Sequence, residues 1–245
     1  MVRFEDRWRR RQSKRGVRTM PFADRIDAGR KLAAALAQYK DRKPVVLALP
    51  RGGVPVAAEV ARALGAPLDL LLVRKIGVPM QPELAMGAVV DGANPLTVRN
   101  EDVIAMAGIT KKTFEELRDR ELAEIARRHT RYLGDRPAAP VEDCVAIVVD
   151  DGIATGATTR AALRATRLRH PAKLVLAVPV APTDTVEALK NEADDVVCLE
   201  TYADFGAIGF FYRDFRQLTD EDVIHILGEF PPEPRKPGTP APTVG

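Results

Sequence analysis

The sequence predicts an α/β fold in which a parallel β-sheet is flanked by helices. Short apolar runs recur at 45–49, 68–73, 145–149, 174–178 and 196–199, with helical periodicity between them. Unbroken apolar runs read as strands buried on both faces, and strands alternating with helices imply a parallel sheet. Two of these runs end in unusual turns, Arg51-Gly52-Gly53 and Asp150-Asp151-Gly152. In such sheets ligands bind beyond the strands' carboxyl ends, near the point where strand order reverses.

The elements follow in order. Ile26, Leu32, Leu36 and Tyr39, with Ala33 and Ala37, form a helical stripe beginning just after Asp24. Pro44 introduces the strand 45–49, and 54–64 reads as a helix stopped by Gly65. The second strand is 68–73. Short strand candidates at 88–90 and 96–98 flank a turn at 91–95. Residues 110–133 predict one long helix, with Thr113 and Glu116 at capping-box spacing. Its apolar face carries Phe114, Leu117, Leu122, Ile125, His129 and Leu133. Its polar face carries the i,i+4 pairs Glu116–Arg120 and Glu124–Arg128. A linker at 137–140 leads into the strand 145–149, then a helix from about 161. The strand 174–178, a helix at 183–190 and the strand 196–199 complete the pattern. No internal repeat is visible.

At 245 residues and 46% hydrophobic, the chain can bury a full-sized core. No apolar run approaches the roughly 20 residues of a membrane span, and no secretory leader is visible, so a cytoplasmic protein without membrane contact is expected. Cys144 and Cys198 are expected to be unpaired thiols, and His129, His170 and His225 lack metal-ligand spacing. The net charge is +3, yet residues 1–18 alone carry +6, so the rest of the chain sums to −3. Residues 1–20 therefore read as a basic, flexible tail, the one place where nucleic acid is expected to bind. Residues 231–245, with six prolines, read as a disordered tail. The intervening 21–230 form the folded domain.

The run 145–149 ends in Asp150 and Asp151, followed by Gly152, Ile153 and the small-residue stretch Ala154, Thr155, Gly156, Ala157, Thr158 and Thr159. Backbone N–H groups of such a loop, at a helix N-terminus, favour a phosphate. Paired carboxylates beside a phosphate cradle suit a ligand with vicinal hydroxyls as well, a ribose 5-phosphate. The plainer reading is a strand–turn–helix connection whose aspartates cap the helix. A nucleotide P-loop is excluded because Ala157 stands after Gly156 and no lysine follows.

This stretch resembles the PRPP-binding signature of the type I phosphoribosyltransferases, departing at Gly152, where most members place an aliphatic residue. The resemblance implies that Asp150 and Asp151 contact the ribose 2- and 3-hydroxyls and that 154–159 cradle the 5-phosphate. Arg51, Gly52 and Gly53 match the family's pyrophosphate loop in its Arg-Gly form, as in adenine phosphoribosyltransferases. Guanidinium groups bind phosphate oxygens in pairs, and the glycines admit backbone N–H groups. The segment Arg74-Lys75-Ile76-Gly77-Val78-Pro79, followed by Gln81, Glu83 and Gly87, is similar to the adenine enzymes' Arg-Lys-x-Gly segment. That likeness implies a mobile lid in which Arg74 and Lys75 oppose charge on the departing diphosphate. Both cations also fit a solvated strand end.

Residues 202–215 hold six aromatics in a chain only 5% aromatic. The family closes its site with a variable hood, so Phe211 and Tyr212 are the expected acceptor-stacking rings. The alternative for any ring there is the hood's own small core. Asp214 fits either a base edge or a turn cap. The implied fold is the type I phosphoribosyltransferase fold with a five-stranded parallel sheet, a helical insertion at about 100–135 and a C-terminal hood at about 200–228.

The implied reaction is displacement of pyrophosphate from PRPP by a nitrogen nucleophile, in nucleotide salvage if the acceptor is a nucleobase. Mg²⁺ is expected to be held mainly by PRPP and water, with no metal ligated by the protein alone. Asp150, Asp151, Arg74 and Lys75 are the expected catalytic residues, and the expected assembly is a homodimer. The rival reading is a non-catalytic PRPP- or nucleotide-sensing regulator on the same fold. PRPP synthetase uses a similar acidic loop but needs two such domains and a longer chain.

Overall fold

A computed structural model describes residues 20–91 and 95–231. The expected basic segment (apart from Met20), the proline-rich 232–245 and the centre of the 91–95 turn lie outside these residues.

Five parallel strands form the main sheet: β1 (Pro44–Ala48), β2 (Leu68–Leu70), β6 (Val145–Val149), β7 (Lys173–Pro182) and β8 (Asp195–Tyr202), in the order β2-β1-β6-β7-β8. The chain builds outward from β1 to β2 on one side, then from β6 through β7 to β8 on the other. Strand order therefore reverses between β1 and β6, which run in register from Pro44 opposite Val145 to Ala48 opposite Val149. Both are buried along their whole length, as expected of a sheet covered on both faces.

Helices α1 (Arg25–Ala35) and α2 (Gly53–Leu64) contribute to the core on one face, and α5 (Ala157–Arg167) and α6 (Thr183–Leu189) to the core on the other. Their limits have local causes. The Asp24 side chain caps α1 by accepting from the Asp27 N–H at 2.8 Å. Gly65 ends α2 in the left-handed region at φ 63°, where glycine lacks a clashing Cβ.

Residues 73–99 form a second, antiparallel sheet, β3 (Val73–Val78), β4 (Gln81–Val90) and β5 (Leu96–Arg99), in that order, which contains the strands expected at 88–90 and 96–98 and extends well beyond them. Pro82 is accommodated because the register shifts between Ile76 and Val78, taking it out of regular pairing. A Cβ on Gly77 would meet the Pro82 carbonyl oxygen at 2.5 Å, so this close crossing requires glycine. The sheet packs on α3 (Glu101–Met106) and α4 (Lys111–Tyr132) around Ile76, Met86, Val89, Phe114 and Ile125. Helix α4 starts one turn earlier than the expected capping box: Thr110 is its cap, accepting from the Thr113 N–H at 3.2 Å. Helix α7 (Asp220–Gly228) is the last described element and starts with a capping box of Thr219 and Asp222. No described helix is long and apolar enough to cross a membrane.

Candidate active site

Adjacent strands β1 and β6 end side by side and deliver the two loops singled out by sequence. After β1, Pro50 and Arg51 lead into Gly52 and Gly53, where α2 begins. After β6, residues 150–156 lead into α5. Neither helix has a side-chain cap: Gly52 precedes α2, and Gly156, at φ 75°, precedes α5. Only α5 thereby presents open first-turn N–H groups at the switch point, the arrangement that favours phosphate oxygens. In α2 the Gly53 N–H donates to the Leu49 carbonyl at 3.0 Å, the Val54 N–H to the Arg51 carbonyl at 3.2 Å, and Pro55 has none.

The loops are in intimate contact. A Cβ on Gly52 would lie 2.1 Å from Asp151 Oδ2, and one on Gly53 would lie 2.7 Å from the Val149 carbonyl oxygen. A side chain at either position would force the loops apart. Around the 5-phosphate candidate loop, Ala154, Thr155 and Thr158 are exposed, Ala157 is half-buried, and Gly156 and Thr159 are buried. The Thr185 hydroxyl donates to the Ala154 carbonyl at 3.1 Å, tethering the loop to α6.

The two acidic residues occupy different environments. Asp150, half-buried, accepts the Asp151 N–H at 2.8 Å. Loss of water, and then the neighbouring Asp151 charge, pushes its carboxyl well above the ordinary range. Asp151 is 7% exposed. Burial raises its carboxyl too, opposed chiefly by Arg25, whose Nε donates to Oδ2 at 2.7 Å.

Sequence reasoning missed Arg25. It gave no local signal, because its partner lies 126 residues away. Asp220 was missed for the same reason: its carboxylate lies 3.6 Å from the Arg51 guanidinium and accepts the Tyr132 hydroxyl at 2.5 Å. That contact and burial push the Tyr132 phenol up to about 12, with burial the larger cause.

Arg74 lies in β3, and its Nε donates to Glu121 of α4 at 2.7 Å. Lys75, half-buried, is its neighbour in the same strand, opposite Ala88. Phe211 and Tyr212 do not offer open ring faces, being 4% and 2% exposed. Phe211 packs on Tyr202 and Phe205, and Tyr212 on Phe22 and Phe215. They form the hood's own core, because β8, the 208–211 turn and the segment before α1 converge there. Tyr212 nonetheless reaches the site, its hydroxyl donating to the Asp151 carbonyl at 2.6 Å. Asp214 caps a turn, accepting the Arg216 N–H at 3.1 Å. At Gly152 a Cβ would meet Ile208 Cγ2 at 2.7 Å. The hood's isoleucine thus takes the space that a side chain at 152 would need.

A family profile described as phosphoribosyl transferase domain matches residues 23–215, which include both loops and the first part of the hood. The chain belongs to this family. Two Mycobacterium tuberculosis proteins, MT0597 and Rv0571c, each named provisionally as a phosphoribosyl transferase, are 48% identical over 206 residues. That match takes in 84% of this chain but 46% of theirs, so the chain spans about half the length of these curated relatives. Among solved structures, TT1426 from Thermus thermophilus is 44% identical with a TM-score of 0.78, covering 86% of this chain and 100% of that one. The phosphoribosyl transferase family and the parallel sheet flanked by helices were therefore read correctly from sequence.

Proposed function

We propose that this phosphoribosyl transferase domain moves the 5-phosphoribosyl group of PRPP to a nitrogen nucleophile, a nucleobase or related amine, releasing pyrophosphate. One observation carries the reading: at the switch point of the sheet an acidic pair lies between the uncapped N-terminus of α5 and the Arg51-Gly52-Gly53 loop, with Gly52 allowing the loops to touch. Residues 154–159 would hold the 5-phosphate, Asp150 and Asp151 the ribose hydroxyls, and Arg51, Gly52 and Gly53 the diphosphate.

In the transfer, the bond from C1 to the diphosphate oxygen breaks, the nitrogen lone pair bonds C1, and the nitrogen loses a proton. Positive charge develops at C1, so positioning and electrostatics dominate. The acidic pair would lie beside that charge, and Arg51 would offset charge on the leaving group. Among the described residues, no group of three or more His, Cys, Asp or Glu side chains gathers to hold a metal. The donors present fit Mg²⁺ carried by the diphosphate and hydroxyls of PRPP, where the ion would offset phosphate charge. With Arg74 paired to Glu121, the catalytic roles of Arg74 and Lys75 rest on family likeness alone, as does a homodimer.

The test is incubation with PRPP and Mg²⁺ against a panel of nucleobases and amines, following pyrophosphate release. Turnover with one acceptor class supports the transferase. Tight PRPP binding without turnover on any acceptor favours a sensor, and absence of PRPP binding overturns both.

A further inference from the structure

The Arg25 guanidinium makes three contacts linking three parts of the molecule. It belongs to the first turn of α1. Nε donates to Asp151 Oδ2 at 2.7 Å, Nη1 donates to the Arg216 carbonyl at 2.9 Å, and the plane lies 3.8 Å from the Phe215 ring centroid. Its side chain is 11% exposed and that of Asp151 10%. A planar fork can satisfy a carboxylate, a carbonyl and a ring face together, which an ammonium cannot.

We propose that Arg25 is a positioning residue for the transfer reaction: it orients the Asp151 carboxylate toward the ribose site and binds the hood to that loop. The proposal rests on the ribose role given to Asp151 above. Its geometric basis is enclosure. Gly52 of the pyrophosphate loop abuts one side of the Asp151 carboxylate, Arg25 holds Oδ2, and the Tyr212 hydroxyl holds the same residue's carbonyl. Side-chain rotation is restricted from each direction. The loop that binds ribose and the hood that covers the acceptor thus share one guanidinium, so a change in either is transmitted to the other.

The charge matters as well as the shape. The titratable groups acting on Asp151 are Asp150 in its own loop, Arg25 from α1 and the Tyr212 phenol from the hood, while the pyrophosphate loop meets it with uncharged Gly52. Arg25 is the cation among them. Accepting hydrogen bonds from ribose hydroxyls requires an ionised carboxylate. Arg25 opposes the effect of burial at both carboxyls, so removing it moves protonation of the acidic pair to higher pH.

The experiment is calorimetric titration of the full chain with Mg-PRPP from mildly acid to mildly alkaline pH, for the parent, Arg25→Met and Arg25→Lys. Loss of a charge-assisted contact is expected to weaken PRPP binding by about ten- to a hundredfold in Arg25→Met. The acid limb of its affinity profile should move to higher pH. Arg25→Lys, which keeps the charge without the fork, should return the limb toward the parent's while affinity stays reduced. Phe215→Leu serves as the structural comparison, expected to lower the melting temperature without moving the limb. If Arg25→Met does not fold, the split between limb and affinity in Arg25→Lys decides the question. A parent that fails to bind Mg-PRPP overturns the ribose reading and this role with it. A parent that binds, with both Arg25 variants matching it in affinity and acid limb, overturns the role of Arg25 alone.

Discussion

The contact between the two loops makes Gly52→Ala the most informative perturbation. The new Cβ would lie 2.1 Å from Asp151 Oδ2, 2.5 Å from Cγ and 2.8 Å from Oδ1, against 3.4 Å or more for ordinary contact. Something must move by roughly 1 Å, the order of displacement at which mispositioning costs about a hundredfold in rate. Two escapes exist. The pyrophosphate loop can lift off, an overpacking strain of about 1–3 kcal/mol. Alternatively the carboxylate can swing away from Arg25, leaving a buried cation unpaired at a cost of about 3–5 kcal/mol. The cheaper escape governs, so the melting temperature should fall by roughly 2–12 °C, using about 2–4 °C per kcal/mol for a chain of this size. Either route separates groups meant to grip one ligand, so Mg-PRPP affinity should fall far more than stability alone explains. Gly65→Ala is the control. It has nothing within 4 Å but sits at φ 63°, so it costs about 1–2 kcal/mol of backbone strain away from the site. The assay pairs thermal melting with calorimetric titration for both variants. Parent-like PRPP affinity in Gly52→Ala, or equal loss in Gly65→Ala, would refute the shared-ligand reasoning.

The other predictions concern charge. Asp150→Asn should reduce PRPP affinity at least tenfold while raising thermal stability. The folded-state value of this carboxyl is raised, so its stabilising contribution is present at low pH and lost as pH rises through that value. The variant should therefore melt higher than the parent above the ordinary carboxylate range and equally below it; identical melting curves across the range would contradict this. Asp220→Asn removes the half-exposed partner of Arg51, a pair worth under about 1 kcal/mol. It should raise affinity for inorganic pyrophosphate by no more than about fivefold, and a loss of affinity would show instead that Asp220 holds Arg51 in its working position. Phe211→Leu should lower the melting temperature without changing which acceptor is used. A change of acceptor preference with stability intact would restore the ring to the acceptor side.

What could be read from sequence follows from the range over which each feature is determined. The main sheet was legible because a strand buried on both faces needs only a run such as Ala146-Ile147-Val148-Val149, and each run ends in its own turn chemistry. The two loops stood out for a related reason: their glycines, hydroxyls and carboxylates are consecutive in sequence. The second sheet was legible only in part: the strands at 88–90 and 96–98 could be read, but Gly77, Pro79 and Pro82 argue locally against the remainder. Only the register shift shows where the prolines are tolerated. The hood failed in another way. Six aromatics in fourteen residues announce a cluster, but whether a ring faces ligand or core depends on Phe22, which is far away in sequence. Arg25, Tyr212 and Asp220 share that property, each reaching a functional loop from a distant segment. Gly152 joins the two classes. In sequence it looked like a defect in the signature, yet Ile208 Cγ2 lies where its Cβ would stand. A larger residue at 152 would push on the hood, and a smaller one at 208 would leave a void beneath the acidic pair. The departure at Gly152 is therefore one half of a packing pair whose other half, Ile208, lies in the hood.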